Sequence, residues 1–209
     1  MLDLVLPLQC GGCGAPGTKW CPSCAEELAV RLDEPHVVTP RVDPGVPVLS
    51  LGRYAGSRRR AIVALKEHGR ADLVPVLAEA LKDALDQLLT WNVLDIPLTV
   101  IPAPTRRSAA RRRGGDPVAR IAHAAAQHLP GVQVTPALHL KAFTRDSVGL
   151  SSADRQRNIA GRIRCVAPVI GQAIVVDDIV TTGATATESV RVLQTSGTNV
   201  AAVVALAHA

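Results

Sequence analysis

Two adjacent carboxylates, Asp177 and Asp178, are followed closely by Thr181-Thr182-Gly183-Ala184-Thr185. Ahead of them, Ala173 to Val176 is a short apolar, largely β-branched run, which reads as a buried parallel strand. From Ala184 a helical pattern begins, with Val190 and Leu193 on one face. Ligands of open α/β sheets sit at the carboxyl ends of strands, and anions sit on helix N-termini. A phosphate placed here meets backbone N–H groups, three threonine hydroxyls and the positive end of a helix dipole. The two acids repel a phosphate. They suit sugar hydroxyls, or a magnesium ion bridging to a polyphosphate. A helix cap, a turn glycine and a strand end account for each residue singly; the ordered combination points to a phosphorylated sugar.

A second cluster lies near the start of the chain. Cys10-Gly-Gly-Cys13 and Cys21-Pro-Ser-Cys24 are two CxxC pairs separated by seven residues. Each pair lets two thiolates approach one ion from a tight turn, and two such turns complete a tetrahedral Cys₄ zinc site. All four ligands are thiolates, so the zinc is expected to be structural. Disulfides or a redox pair are the rival reading, although redox pairs come singly and near a βαβ pattern. A segment as short as residues 1–31 needs such a staple to hold its shape.

The third cluster is basic. Pro97 to Ile101 reads as a buried strand running into Pro102-Ala103-Pro104-Thr105. Arg106, Arg107, Arg111, Arg112 and Arg113 follow, five arginines within eight positions. Guanidinium groups pair with phosphate in planar, bidentate fashion. A second anion cradle, a solvated basic loop and a nucleic-acid patch are all open for these residues alone.

These clusters require elements to position them. Ala25 to Leu32 reads as a short helix closing the cysteine unit, and the proline-rich stretch from Pro35 to Pro47 as a linker. Val46 to Tyr54 reads as a strand. In Ser57 to His68 the pattern turns Ala61, Ile62 and Leu65 inward and Arg58 to Arg60 outward, and it leaves Lys66 solvated near the helix end. Asp72 is placed to cap the next helix, Leu73 to Trp91, whose leucines recur at helical spacing. Asp116-Pro117 opens a helix through His128 with N-cap and N1 chemistry in place. Val132 to Leu140 is a strand region interrupted by Pro136. Lys141 to Ala153 is polar and turn-rich, preceding a helix that carries Arg155, Arg157 and Asn158. It suits either a lid or an ordinary surface loop. Arg162 to Val166 and Asn199 to Leu206 complete the strands.

Composition bounds the rest. The 209 residues suit one α/β domain with a small appendage, and 47% are hydrophobic but only 2% aromatic, so the core must be aliphatic. A net charge of +5 attracts anions, whether nucleic acid or polyphosphate. The four aromatic residues Trp20, Tyr54, Trp91 and Phe143 are few for a protein that stacks single-stranded bases. No apolar stretch is long enough for a membrane span, and Met1-Leu-Asp-Leu-Val-Leu-Pro lacks a basic leader, so a cytoplasmic protein without membrane insertion is expected.

The strand, the two acids and the TTGAT loop resemble the 5-phosphoribosyl-1-pyrophosphate (PRPP) signature of the type I phosphoribosyltransferases. The wider layout resembles one branch, the competence-associated ComF family. It is carried by the Cys₄ knuckle, the LKEHG ending at Gly69, the IPAP turn with its arginines, the KAFTRDSVGLSSADRQRNIAG stretch and the PRPP motif, in that order. The resemblance covers nearly the whole chain. It implies a type I phosphoribosyltransferase fold, a parallel doubly wound sheet flanked by helices, over residues 32–209, with a zinc-binding knuckle over 1–31. It implies that Thr181, Thr182, Gly183, Ala184 and Thr185 hold the 5′-phosphate, and that Asp177 and Asp178 hold the ribose hydroxyls and do the catalytic work. Ala103, Pro104, Thr105, Arg106 and Arg113 form the pyrophosphate loop, Arg155 and Asn158 belong to the lid, and magnesium accompanies PRPP. Phosphoribosyl transfer to a nitrogen acceptor is the implied activity. The alternative is a non-catalytic accessory in DNA uptake that handles single-stranded DNA with a helicase partner. Two departures from the family pattern flank the site: Gly115-Asp116-Pro117 after Arg113-Gly114, and Ser147 where glutamine is usual.

Overall fold

A computed structural model describes residues 8–105, 115–141, 159–169 and 171–209. The arginines 106–113, Ser147, Arg155 and Asn158 lie outside them. In chain order the elements are α1 (Pro22–Leu28), β1 (His36–Val37), β2 (Val48–Ser50), α2 (Gly56–Glu67), a 3₁₀ turn (Ala71–Leu73), α3 (Val74–Thr90), β3 (Leu98–Pro102), α4 (Pro117–Ala126), β4 (Val132–Val134), β5 (Leu138–Leu140), β6 (Ile163–Cys165), β7 (Gln172–Val180), α5 (Ala184–Thr195) and β8 (Asn199–His208).

Six strands form one sheet in the order β1-β2-β8-β7-β3-β4. Every pairing is parallel except that of β1, a two-residue antiparallel edge. Alternation along the strands builds two cores, one on each face. Ile174, Val176, Ala202 and Val204 join the inward residues of α2, α3 and α4. Ala173, Val175, Val203 and Ala205 join Val190 and Leu193 of α5 and the β5–β6 hairpin. With both faces covered, the central strands read as unbroken apolar runs. The chain is therefore a mixed α/β fold with a mostly parallel, doubly wound sheet. Among the described residues, no helix is long and apolar enough to cross a membrane.

Local chemistry explains several boundaries. Asp116 caps α4 as expected, its Oδ1 accepting from the N–H groups of Val118 (2.9 Å) and Ala119 (3.3 Å), with Pro117 at the first helical position. Asp72 does not cap α3. Its carboxylate is held by both Arg70 nitrogens at 2.8 Å, a bidentate pair that outcompetes the cap. The region 132–140 splits into two strands in different sheets, because Pro136 ends one before Leu138 starts the other.

The outward assignment of Arg58 is also corrected. It is buried, and its guanidinium donates to the carbonyls of Leu206 (3.1 Å) and Leu28 (3.4 Å). Helical spacing alone misplaces it because its long side chain lies along the apolar face while its charge finds backbone acceptors.

Candidate functional site

The strand order creates a crevice. From β3 the chain leaves through α4 toward β4 on one side; from β7 it leaves through α5 toward β8 on the other, with α4 and α5 on opposite faces. The two loops part at the carboxyl ends of β3 and β7, the place where open α/β sheets hold ligands. Ala103–Thr105 lines one bank and Asp177–Thr185 the other.

The β3–β7 ladder ends at the Pro102–Val176 pair, closed by an N–H···O bond of 2.8 Å from Ala103 to Val176. β7 itself continues through the acids to Val180, pairing with β8. Asp177 and Asp178 thus sit in a strand whose β3 side has just been vacated. Alternation puts Asp178 on the face of Ile174 and Val176, which α2 covers. There it forms an ion pair with Lys66 from the last turn of α2. Lys66, expected to be solvated, is therefore part of the site. Helical spacing carried no signal for this pairing, which depends on where α2 crosses the sheet.

Asp177 Oδ1 accepts a 2.8 Å bond from the Asp178 N–H. Burial, and then the adjoining Asp178 charge, push the Asp177 carboxyl up to about 8, against the opposing pull of Lys66. The dyad therefore combines one carboxylate paired with an ammonium and one carboxyl that favours its neutral form.

Beyond the acids, Gly183 adopts the left-handed conformation (φ 84°) as the N-cap of α5. The hydroxyl of Thr182 lies 3.4 Å from the N–H of Ala184, and the first helical bond runs from Thr187 N–H to Gly183 C=O at 2.8 Å. The remaining N–H groups of the first turn are orphans of helix geometry and offer an anion cradle beside the dyad. The structure thus brings together Asp177, Asp178 and Thr181–Thr185, with Ala103–Thr105 across the crevice. A cleft of about 180 Å³ adjoins Ala103–Thr105 and is bordered by Asp116, Pro136 and His139.

The four cysteines of the N-terminal unit converge, with all Sγ atoms within 4.8 Å of one another. A tetrahedral zinc with Zn–S bonds of about 2.3 Å has sulfur–sulfur edges of about 3.8 Å, and Cys13 and Cys21 lie 3.6 Å apart. The donor set therefore fits such an ion. Burial opposes ionisation of Cys10, but N–H groups of its own turn and of Cys21 outweigh it and hold the thiol down at about 6. Burial and the neighbouring thiols push Cys24 the other way. The glycines of the first turn leave little room for a side chain. A Cβ on Gly11 would meet Leu73 at 2.6 Å, and one on Gly12 would meet Cys24 Sγ at 2.5 Å.

The knuckle is tied to α2 at several points. Arg60 donates to the Gly12 carbonyl, and Glu27 accepts the Ser57 N–H at 3.0 Å, capping the first turn of α2 from outside. Because α2 also carries Lys66, the cysteine unit and the crevice share one helix.

No protein-family model matches the sequence, and no curated protein matches it. Among solved structures, that of Leishmania donovani UMP synthase is similar, with a TM-score of 0.40 at 15% identity over 89% of this chain. The similarity spans 31% of the length of that protein.

Proposed function

We propose that the crevice binds PRPP and that the protein is a phosphoribosyltransferase-like protein of the ComF type, transferring the phosphoribosyl group to a nitrogen acceptor. The observation that supports it most is the placement of Asp177-Asp178 beside the Gly183 turn and the α5 N-terminus, at the point where the β3 and β7 loops diverge. In this reading Thr181–Thr185 hold the 5′-phosphate through N–H and hydroxyl donors. Asp177 and Asp178 accept from the ribose hydroxyls. Ala103–Thr105, with Arg106 and Arg113, take the pyrophosphate. Residues 1–31 form a structural zinc knuckle and 32–209 the phosphoribosyltransferase-like domain.

Magnesium, when bound with the substrate, neutralises pyrophosphate charge. The chain's own contribution is positioning and electrostatics. As the bond to pyrophosphate breaks, positive charge develops at the anomeric carbon, and the Asp178 carboxylate, joined by Asp177 in its deprotonated form, stabilises it. Holding acceptor and ribose in line supplies the remaining advantage, so no side-chain nucleophile is required.

Calorimetric titration of the zinc-loaded chain with PRPP and magnesium tests this reading. Binding is expected, and it is expected to vanish in Asp177→Asn/Asp178→Asn while the fold persists. Undiminished binding by the double variant rejects the site. Absence of binding by the wild-type chain moves the reading to the accessory role in DNA handling.

A further inference from the structure

The proline-rich stretch between β1 and β2 crosses the opening of α5. Val42 donates its N–H to the Thr182 carbonyl at 2.8 Å. The hydroxyl of Thr187, one turn into α5, donates back to the Val42 carbonyl at 3.2 Å. Between these bonds Gly183 is pressed against the stretch so closely that a Cβ there would lie 2.4 Å from the Val42 oxygen and 2.8 Å from Pro40 Cβ. The crossing segment is itself constrained. Pro40 and Pro44 fix their own φ, Gly45 N–H bonds Asp43 Oδ1 at 2.7 Å, and Val38 N–H bonds Val48 C=O at 2.8 Å.

Planarity gives these contacts a consequence. The C=O and N–H of one trans peptide point in opposite directions. Fixing the Thr182 carbonyl on Val42 therefore turns the Gly183 N–H away from the strap. The left-handed φ at Gly183 then passes the chain directly into the first turn of α5, whose N–H groups follow in sequence.

We propose that Pro40–Val42 is a strap that holds the Thr181–Thr185 loop in its phosphate-receiving conformation, with Thr187 as the positioning residue that clasps it. The inference rests on the reading of this loop as the 5′-phosphate cradle. The clasp touches only that bank of the crevice, so its loss acts on one end of the ligand. The pyrophosphate end, built from Ala103–Thr105 across the crevice, is untouched.

The test is calorimetric titration of the full zinc-loaded chain with ribose 5-phosphate and, separately, with magnesium pyrophosphate. Thr187→Val removes the donor at nearly constant volume. It is expected to weaken ribose 5-phosphate roughly fivefold to tenfold, the equivalent of one net hydrogen bond, and to leave pyrophosphate affinity unchanged. Thr187→Ser, which keeps the hydroxyl, restores binding. Val42→Pro deletes the other bond and gives the same selective loss by an independent route. Unchanged ribose 5-phosphate affinity in Thr187→Val overturns the strap, as does an equal loss of both ligands without rescue by serine. A wild-type chain that binds neither ligand removes the underlying phosphate-site reading, a result distinct from either.

Discussion

Lys66, on the last turn of α2, is ion-paired with Asp178, at the carboxyl end of β7. An ammonium from a helix outside the loop motif thereby balances one member of the acidic dyad. The Asp178 side chain is 13% exposed and that of Lys66 30%, so the pair lies between an exposed bridge and a buried one. Exposed pairs contribute about 0–1 kcal/mol, and breaking a buried pair costs about 3–5 kcal/mol. Lys66→Met is expected to destabilise the chain by about 1–2 kcal/mol in urea denaturation at neutral pH. In a double-mutant cycle with Asp178→Asn most of that cost should disappear; additive losses would show that the two groups are not energetically coupled.

Asp177 supplies a pH dependence with a definite sign. Its folded-state pKa is raised from 3.8 to about 8, by burial and by Asp178. The stabilisation from its bound proton is complete below about 3.8 and is lost as pH rises through about 8. Asp177→Asn removes that dependence, so the variant should gain on the wild type between pH 4 and 9. Ribose hydroxyls favour the ionised acceptor, so wild-type affinity for magnesium-PRPP should climb over the upper part of that window. Equal denaturation midpoints for the two proteins at both pH extremes would contradict the raised pKa.

The cysteine cluster predicts one zinc per chain by elemental analysis, lost in Cys10→Ser. Because Arg60 and Glu27 join the knuckle to α2, metal loss should loosen more than residues 8–31. A loss of about 2–4 kcal/mol lowers Tm by roughly 5–15 °C in a domain of this size, and amides in the first turn of α2 should exchange faster. Metal loss with an unchanged Tm would show that the knuckle folds apart from α2.

The motifs that act locally were legible in the sequence. Asp116-Pro117 caps its own helix, the CxxC spacing brings four sulfurs together, and the Ala173–Val176 run sits at the centre of the sheet with the dyad at its end. Contacts set by topology were not. Lys66 and Arg58 sit on a helix whose apolar spacing predicts only which side faces the core, and both find partners more than 100 residues away in β7 and β8. Val42 lies in a stretch whose prolines read as a linker, yet its N–H bonds the Thr182 carbonyl in the loop that follows β7. Backbone hydrogen bonds of this kind carry no side-chain signature. Arg106 and Arg113, expected in a pyrophosphate loop, and Arg155 and Asn158, expected in a lid, fall outside the described residues, so their roles rest on the resemblance alone.

Gly183 allows a separation of two effects that glycines usually confound. Gly183 and Gly197 have nearly identical positive φ values, 84° and 83°. A Cβ on Gly197 meets nothing within 4 Å, whereas one on Gly183 meets the Val42 carbonyl at 2.4 Å and Pro40 at 2.8 Å. Gly197→Ala should therefore cost only the left-handed penalty, about 1 kcal/mol. Gly183→Ala adds a clash with backbone, which cannot swing aside as a side chain can, so its cost should exceed that of Gly197→Ala by about 1–3 kcal/mol. It should also displace the strap and weaken ribose 5-phosphate, which Gly197→Ala leaves unchanged. Matching urea midpoints for the two alanine variants would mean that the strap gives way freely, and that the close approach at Gly183 holds nothing in place.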